Sequence, residues 1–127
     1  MNIFVSICSY QDPLLPHTIK SMIQTKSNRN NVQYSIEQTR YEDSLECNEP
    51  VLVSRDDVIY KRIDPEYSDG AVWARYINLL NLTDEYDFIY QVDSHILHDQ
   101  NWDRSLIEDY KRAMDMAGHN KVIITGS

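Results

Sequence analysis

Hydrophobic and polar residues alternate with two different periods along this chain. An apolar period of two, which is typical of strands, predicts strands at residues 3–8, 32–36, 58–63 and 88–92. Apolar residues spaced three and four positions apart predict amphipathic helices between and after these strands. Their apolar positions are Ile19, Met22 and Ile23; Trp73, Tyr76, Ile77 and Leu80; and Leu106, Ile107, Tyr110 and Met114.

Strands that alternate with helices are typical of an α/β domain built on a mainly parallel sheet. The chain has no internal repeat and no clear linker, so we expect one domain over residues 1–127. A fifth strand is expected at 121–125. Ile7, Val92 and Ile123 are expected in the core.

Residues 38–57 carry six acidic and two basic residues, one proline and no sustained periodicity, which predicts a long surface loop. A functional loop and a merely solvated excursion are equally good interpretations of this segment.

The overall charge excludes some classes of function. A net charge of -8 argues against a protein that tracks the nucleic-acid backbone, because such binding depends on lysine and arginine. No run approaches the roughly 20 apolar residues of a membrane span, so no membrane association is expected. Cys8 and Cys47 lack the close spacing of a zinc site and are expected to be reduced. We therefore expect a cytoplasmic protein.

An Asp-x-His motif follows the strand predicted at 88–92. This strand has little polar character, so it is expected to be buried on both faces, and Asp93 and His95 come directly after it. In open α/β sheets, ligands bind at the carboxyl ends of the strands. A carboxylate beside an imidazole suits Mn²⁺ or Mg²⁺, which can in turn hold a diphosphate. Alternatively, Asp93 caps a turn and His95 is an ordinary surface histidine.

Two further clusters are expected at the same edge of the sheet. After the first strand, Tyr10 can stack on a base and Asp12 can accept hydrogen bonds from a base or ribose. At the start of the second predicted helix, Gly70 allows backbone N–H groups to approach phosphate, and Arg75 can make forked hydrogen bonds to it. The alternatives are a surface ion pair for Arg75 and a purely core position for Trp73.

Four segments together resemble a known family. They are residues 3–13 (IFVSICSYQDP), 69–75 (DGAVWAR), 91–95 (QVDSH) and 101–103 (NWD). In order and spacing they resemble the cytoplasmic-type N-acetylglucosaminyltransferases that modify protein hydroxyproline, and more distantly the polypeptide N-acetylgalactosaminyltransferases. The resemblance implies a Rossmann-like, three-layer GT-A domain. It also implies a UDP-sugar donor such as UDP-GlcNAc and transfer of the sugar to a protein or glycan hydroxyl.

The same resemblance implies roles for individual residues. It places Mn²⁺ or Mg²⁺ on Asp93 and His95, the DxH motif. The residues that it places at the nucleotide-sugar donor are Ser9, Tyr10, Asp12, Gln38, Gly70, Arg75 and Asp93. Gln11 stands where the family usually has arginine, so the nucleotide contacts are expected to differ here. No catalytic base is identified.

Members of that family continue beyond the length of this chain with an acceptor-binding half. The chain is therefore expected to be a truncated, donor-binding half, and its uncovered apolar surface is expected to favour homo-oligomers. The leading hypothesis is a metal-dependent glycosyltransferase. The alternative is a non-catalytic nucleotide-sugar-binding remnant or half-domain that needs a partner. A nucleotidyltransferase or phosphoesterase is a third hypothesis, but it would show more clustered carboxylates or a glycine-rich phosphate loop.

Overall fold

Four parallel strands and three α-helices make up the part of the chain that the computed structural model describes, residues 1–43, 55–119 and 123. The strands are β1 (Asn2–Tyr10), β2 (Asn31–Thr39), β3 (Val58–Ile63) and β4 (Phe88–Asp93). The helices are α1 (Leu15–Thr25), α2 (Ala71–Leu79) and α3 (Trp102–Ala117), and a short 3-10 helix (Pro65–Tyr67) precedes α2. The strand order is β3-β2-β1-β4, and all neighbouring strands run parallel. The predicted α/β domain with a parallel sheet is confirmed.

The hydrophobic core lies between one face of the sheet and the helices α1 and α3. Because strand residues two positions apart share a face, Ile3, Val5 and Ile7 of β1 point to the same side. The buried members of this core are Ile3, Val5, Ile7, Leu15, Ile19, Met22, Val32, Tyr34, Ile36, Val92, Trp102 and Ile107. The predicted core positions of Ile7 and Val92 are confirmed, since their exposed fractions are 0% and 2%.

Helix α2 lies on the opposite face, over β1 and β2, and completes three layers. Its buried residues are Ala74 and Asn78, whereas Tyr76 and Leu80 are 58% and 61% exposed. Trp73 is only half-buried. The prediction that the apolar stripe forms the buried face of this helix is therefore wrong.

The physical reason is that the sheet surface under α2 is polar. The side-chain amide of Asn78 donates to the Ile7 carbonyl oxygen at 2.9 Å and to the Ser6 hydroxyl oxygen at 3.2 Å. Its carbonyl oxygen accepts a hydrogen bond from the Ser35 hydroxyl at 3.0 Å. A buried amide with these partners is favourable, because buried polar groups are costly only when they lack hydrogen bonds.

Strand β4 forms one edge of the described sheet and is buried on one face only. Val92 is buried and Phe88 and Tyr90 are half-buried, whereas Ile89 is 56% exposed and Gln91 is also exposed. The prediction that this strand is buried on both faces is wrong. The reason is that α2 covers β1 and β2 and leaves the neighbouring surface of β4 open.

Two further predictions concern segments that are only partly described. Ile123 is 92% exposed, so its predicted core position is wrong; none of the described helices or strands includes it. The other residues of the fifth strand predicted at 121–125 lie outside the described residues. The predicted start of the loop at residue 38 is wrong, because β2 extends to Thr39. Residues 44–54 of this predicted loop, including Cys47, lie outside the described residues as well.

None of the described helices combines the length and the apolar character that a membrane crossing requires.

Candidate functional site

A cleft of about 440 Å³ opens where β1 and β2 end and α2 begins. The carboxyl ends of parallel strands form this edge, which is where open α/β sheets bind ligands. The residues that line it include Cys8, Ser9, Tyr10, Glu37, Thr39 and Gly70. The structure thus brings three of the predicted donor-binding residues, Ser9, Tyr10 and Gly70, to one cleft.

These three residues offer different kinds of surface. Ser9 is 3% exposed and pairs in register with Gln38, so it borders the cleft but its side chain points to the core face of the sheet. Tyr10 is 62% exposed, so the face of its ring is accessible at the cleft. Gly70 has a φ of +94°, which strains other residues, and it directly precedes α2. The first backbone N–H groups of a helix have no partner within the helix, so the start of α2 presents donors beside the cleft.

Glu37 is a cleft residue that the sequence-based candidates did not include. It is 1% exposed, and its Oε1 accepts a hydrogen bond from the Thr39 hydroxyl at 2.5 Å. Its Oε2 is buried and has no hydrogen-bond partner among the described residues. Burial raises the pKa of Glu37, and the bond from Thr39 only partly offsets this effect. The cleft wall therefore contains a carboxyl group with one oxygen that lacks a hydrogen-bond partner among the described residues.

Cys8 lies beside Glu37 in the sheet. Burial, together with the nearby Glu37 carboxyl, raises the pKa of the Cys8 thiol to about 11, although the Arg75 charge and side-chain hydrogen bonds act in the opposite direction. Cys8 is therefore a neutral thiol at physiological pH and a poor nucleophile.

Gln38 does not face the cleft. It is fully buried on the face that carries the hydrophobic core, where its Oε1 accepts hydrogen bonds from Arg40 Nε at 3.2 Å and from the Tyr60 hydroxyl at 2.5 Å. The alternation along β2 contained the signal for this difference. Gln38 shares its face with Ile36, and Glu37 points to the other side.

Asp93 ends β4 next to the cleft, because it pairs in register with Cys8 of β1. Its side chain is exposed, as is that of His95, which follows in the turn. The His95 Nδ1 atom lies 3.5 Å from Oδ2 of Asp12, the residue just beyond β1. The predicted metal-binding pair therefore lies at a strand end, and a third predicted site residue contacts it.

Asp12 makes its described contacts within the protein. Its Oδ2 accepts a hydrogen bond from the Ser94 hydroxyl at 2.6 Å, and its Oδ1 accepts one from the Leu14 backbone N–H at 2.9 Å. Partial burial acts to raise the pKa of Asp12, but the hydrogen bonds from Ser94 and Leu14 and the neighbouring His95 outweigh it and lower that pKa. Asp12 is therefore a carboxylate at neutral pH.

Arg75 lies exposed on the first turns of α2, close enough for its charge to act on the Cys8 thiol. None of the salt bridges between described residues involves Arg75. Arg75 therefore belongs to the helix whose start lines the cleft.

The end of β4 carries side chains of the types that bind divalent ions. Within residues 1–43, 55–119 and 123, no group of three or more His, Cys, Asp or Glu side chains is arranged to hold a metal ion. Asp93 and His95 offer one carboxylate and one imidazole, which suit Mn²⁺ or Mg²⁺ with further positions filled by water or by ligand oxygens. The chemistry of these two side chains is thus compatible with such an ion.

Comparison with known proteins adds one finding. A family model described as "Glycosyltransferase (GlcNAc)" matches residues 46–126, which is more than half of the chain. No match is found among curated proteins or among solved structures.

Proposed function

The chain belongs to the glycosyltransferase (GlcNAc) family, and we propose that it uses Mn²⁺ or Mg²⁺ and a UDP-sugar, UDP-GlcNAc, to glycosylate a protein or glycan hydroxyl. The family description names GlcNAc, which supports this choice of sugar. The three-layer arrangement around a parallel sheet supports a GT-A type of domain. Membership of a transferase family favours catalysis over the alternative of a module that only binds nucleotide sugars.

The observation that carries the proposal is the position of Asp93 and His95 at the end of β4, one strand away from the cleft wall. Because Nδ1 of His95 faces Asp12, Nε2 is the ring nitrogen left to bind a metal ion. A divalent ion bound there would neutralise the charge that develops on the departing diphosphate.

The other cleft residues suit the remaining parts of the donor. Tyr10 offers an accessible ring for stacking on the base, and Glu37 has an oxygen atom without a partner among the described residues. The start of α2 at Gly70 and the Arg75 guanidinium suit the diphosphate. Each group therefore has a different part of one ligand to bind.

In the proposed reaction, the bond between the anomeric carbon of the sugar and the diphosphate oxygen breaks. A new bond forms between that carbon and the acceptor oxygen, whose proton passes to solvent, and UDP leaves with the electron pair of the broken bond. The described residues bind and orient the donor for this step. We assign no catalytic base.

The proposal is tested by measuring UDP affinity with Mn²⁺ and with EDTA. Asp93→Ala and His95→Ala should each weaken Mn²⁺-dependent UDP binding more than about tenfold, which corresponds to roughly 1.4 kcal/mol or more. Folding should change little, because both side chains are exposed. Suitable controls are Asp84→Ala and His119→Ala, which remove exposed residues of the same types before β4 and after α3.

The proposed metal site requires a specific pattern of results. The two site variants should lose affinity only when Mn²⁺ is present, while both controls should match the wild-type protein. Equal UDP affinity of all five proteins in Mn²⁺ and in EDTA would show that Asp93 and His95 are not metal ligands.

A further inference from the structure

The carboxylate of Asp12 connects the turn after β1 to the turn after β4. Its Oδ2 lies 2.6 Å from the Ser94 hydroxyl and 3.5 Å from His95 Nδ1, although these residues are more than 80 positions away in the sequence. Its Oδ1 accepts the Leu14 backbone N–H at 2.9 Å. Both oxygens of Asp12 are therefore already engaged within the protein.

The turn that Asp12 contacts is also fixed from helix α1. The hydroxyl of Thr18, a buried residue, donates to the Ser94 carbonyl oxygen at 2.7 Å and accepts from the Ile96 backbone N–H at 3.2 Å. The backbone on both sides of His95 is thus held in place. What this backbone leaves undetermined is the orientation of the His95 ring and the position of its proton.

Asp12 is the group that can determine both. Its side chain is 18% exposed and that of His95 is 59% exposed, so the carboxylate lies inward and the imidazole outward. A carboxylate that accepts a hydrogen bond from one ring N–H leaves the lone pair of the other nitrogen free and increases its basicity. Distances at unliganded sites are often long and shorten when the ligand binds, so 3.5 Å is within reach of a hydrogen bond.

We propose that Asp12 is a positioning residue, which holds the His95 imidazole with its proton on Nδ1 and its Nε2 directed outward as a metal ligand. This inference rests on the proposed function, and it changes the role expected for Asp12 from the sequence. Asp12 acts on the ion through His95 and does not bind the base or ribose of the donor.

The first test measures the His95 tautomer directly, without metal or nucleotide. Ring ¹⁵N chemical shifts at about pH 8, where an ordinary imidazole is neutral, distinguish a proton on Nδ1 from one on Nε2. The His95 signal is assigned by its loss in His95→Ala. The wild-type protein and Ser94→Ala, which keeps the carboxylate, should carry the proton on Nδ1. Asp12→Asn and Asp12→Ala should shift it toward Nε2.

The second test is a double-mutant cycle on Mn²⁺ affinity, followed by the electron paramagnetic resonance signal of the free ion. Asp12→Ala should weaken Mn²⁺ binding about 10- to 100-fold, the usual cost of losing the partner of a ligating histidine. In a His95→Ala background, the same substitution should cost less than about twofold, because the residue through which Asp12 acts is gone.

The outcomes separate this inference from the proposed function. An unchanged His95 tautomer in both Asp12 variants would overturn the inference. An equal loss of Mn²⁺ affinity from Asp12→Ala with and without His95 would also overturn it, because Asp12 would then be a direct ligand. If the wild-type protein binds no Mn²⁺, the proposed function fails. The metal-free tautomer measurement then decides alone whether Asp12 fixes the His95 ring.

Discussion

Replacing Asp103 with alanine should cost about 3–5 kcal/mol of unfolding free energy. Asp103 is fully buried in the first turn of α3, and its carboxylate accepts three hydrogen bonds from the segment that joins α1 to β2. The donors are the Ser27 backbone N–H at 2.8 Å, the Ser27 hydroxyl at 2.5 Å and the Asn30 side-chain amide at 2.8 Å.

The magnitude follows from what the truncation leaves behind. A hydrogen bond to a charged group contributes about 1.5–3 kcal/mol, and a buried donor left without an acceptor costs about 1–3 kcal/mol. Ser27 and Asn30 are each 8% exposed, so water can restore only part of these bonds. Since domains have only about 5–15 kcal/mol of total stability, Asp103→Ala should be marginally folded.

The assay is urea unfolding followed by circular dichroism. Asp109→Ala is a matched control on the same helix, because the Asp109 side chain is 56% exposed and lies 3.6 Å from Arg112; it should change stability by less than about 0.5 kcal/mol. Burial acts to raise the pKa of Asp103, but the hydrogen bonds from Asn30 and Ser27 outweigh it and lower that pKa. The difference between the wild-type protein and Asp103→Ala should therefore be full above about pH 5 and shrink as the pH falls below about 4. A cost below about 1 kcal/mol, or one independent of acid pH, would refute this reasoning.

Three more predictions concern the polar layer and the cleft. Asn78→Ala should cost about 2–3 kcal/mol in chemical denaturation, because it removes buried hydrogen bonds to Ile7 and Ser35, while Tyr76→Ala on the exposed side of α2 should cost under about 0.5 kcal/mol. Burial raises the pKa of Glu37, so the stability of the wild-type protein should fall as the pH rises above the ordinary pKa of glutamate. Unfolding measured at several pH values should show that Glu37→Gln abolishes this fall. The same pH dependence in both proteins would contradict the prediction. In the presence of Mn²⁺, calorimetry should show tighter binding of UDP than of ADP. Tyr10→Ala should weaken UDP binding by about 1 kcal/mol or more, because Tyr10 lines the cleft. Equal affinities for both nucleotides would contradict the proposal that this cleft binds the uracil base.

The sequence by itself determined the elements and their order. Residues 58–63 were predicted as a strand and form β3 (Val58–Ile63), because a period of two in apolar residues reflects strand geometry locally. The same argument placed β1 and β4, and apolar residues spaced three and four positions apart placed all three helices. The Asp-x-His motif was thereby placed at the carboxyl end of β4. These predictions needed only neighbouring residues, since the side-chain period of a helix or strand is set by its own backbone.

The tertiary structure decided what each face contacts. The buried side of α2 depends on Ser35 and Ile7, which lie on two different strands, so Asn78 is buried and Tyr76 is exposed despite its apolar ring. The uncovered face of Ile89 depends on β4 lying at the edge of the described sheet, which no local pattern encodes.

The candidate site shows the same division. The sequence identified Asp12, Asp93 and His95 as residues with suitable chemistry, but the contact of Asp12 with Ser94 and His95 exists only because β1 and β4 are neighbours in the sheet. Glu37 lines the cleft because the strand register and the position of α2 decide which face of β2 borders the cleft. Side-chain chemistry is a property of single residues, whereas contact is a property of strand pairing, and pairing joins residues far apart in the chain.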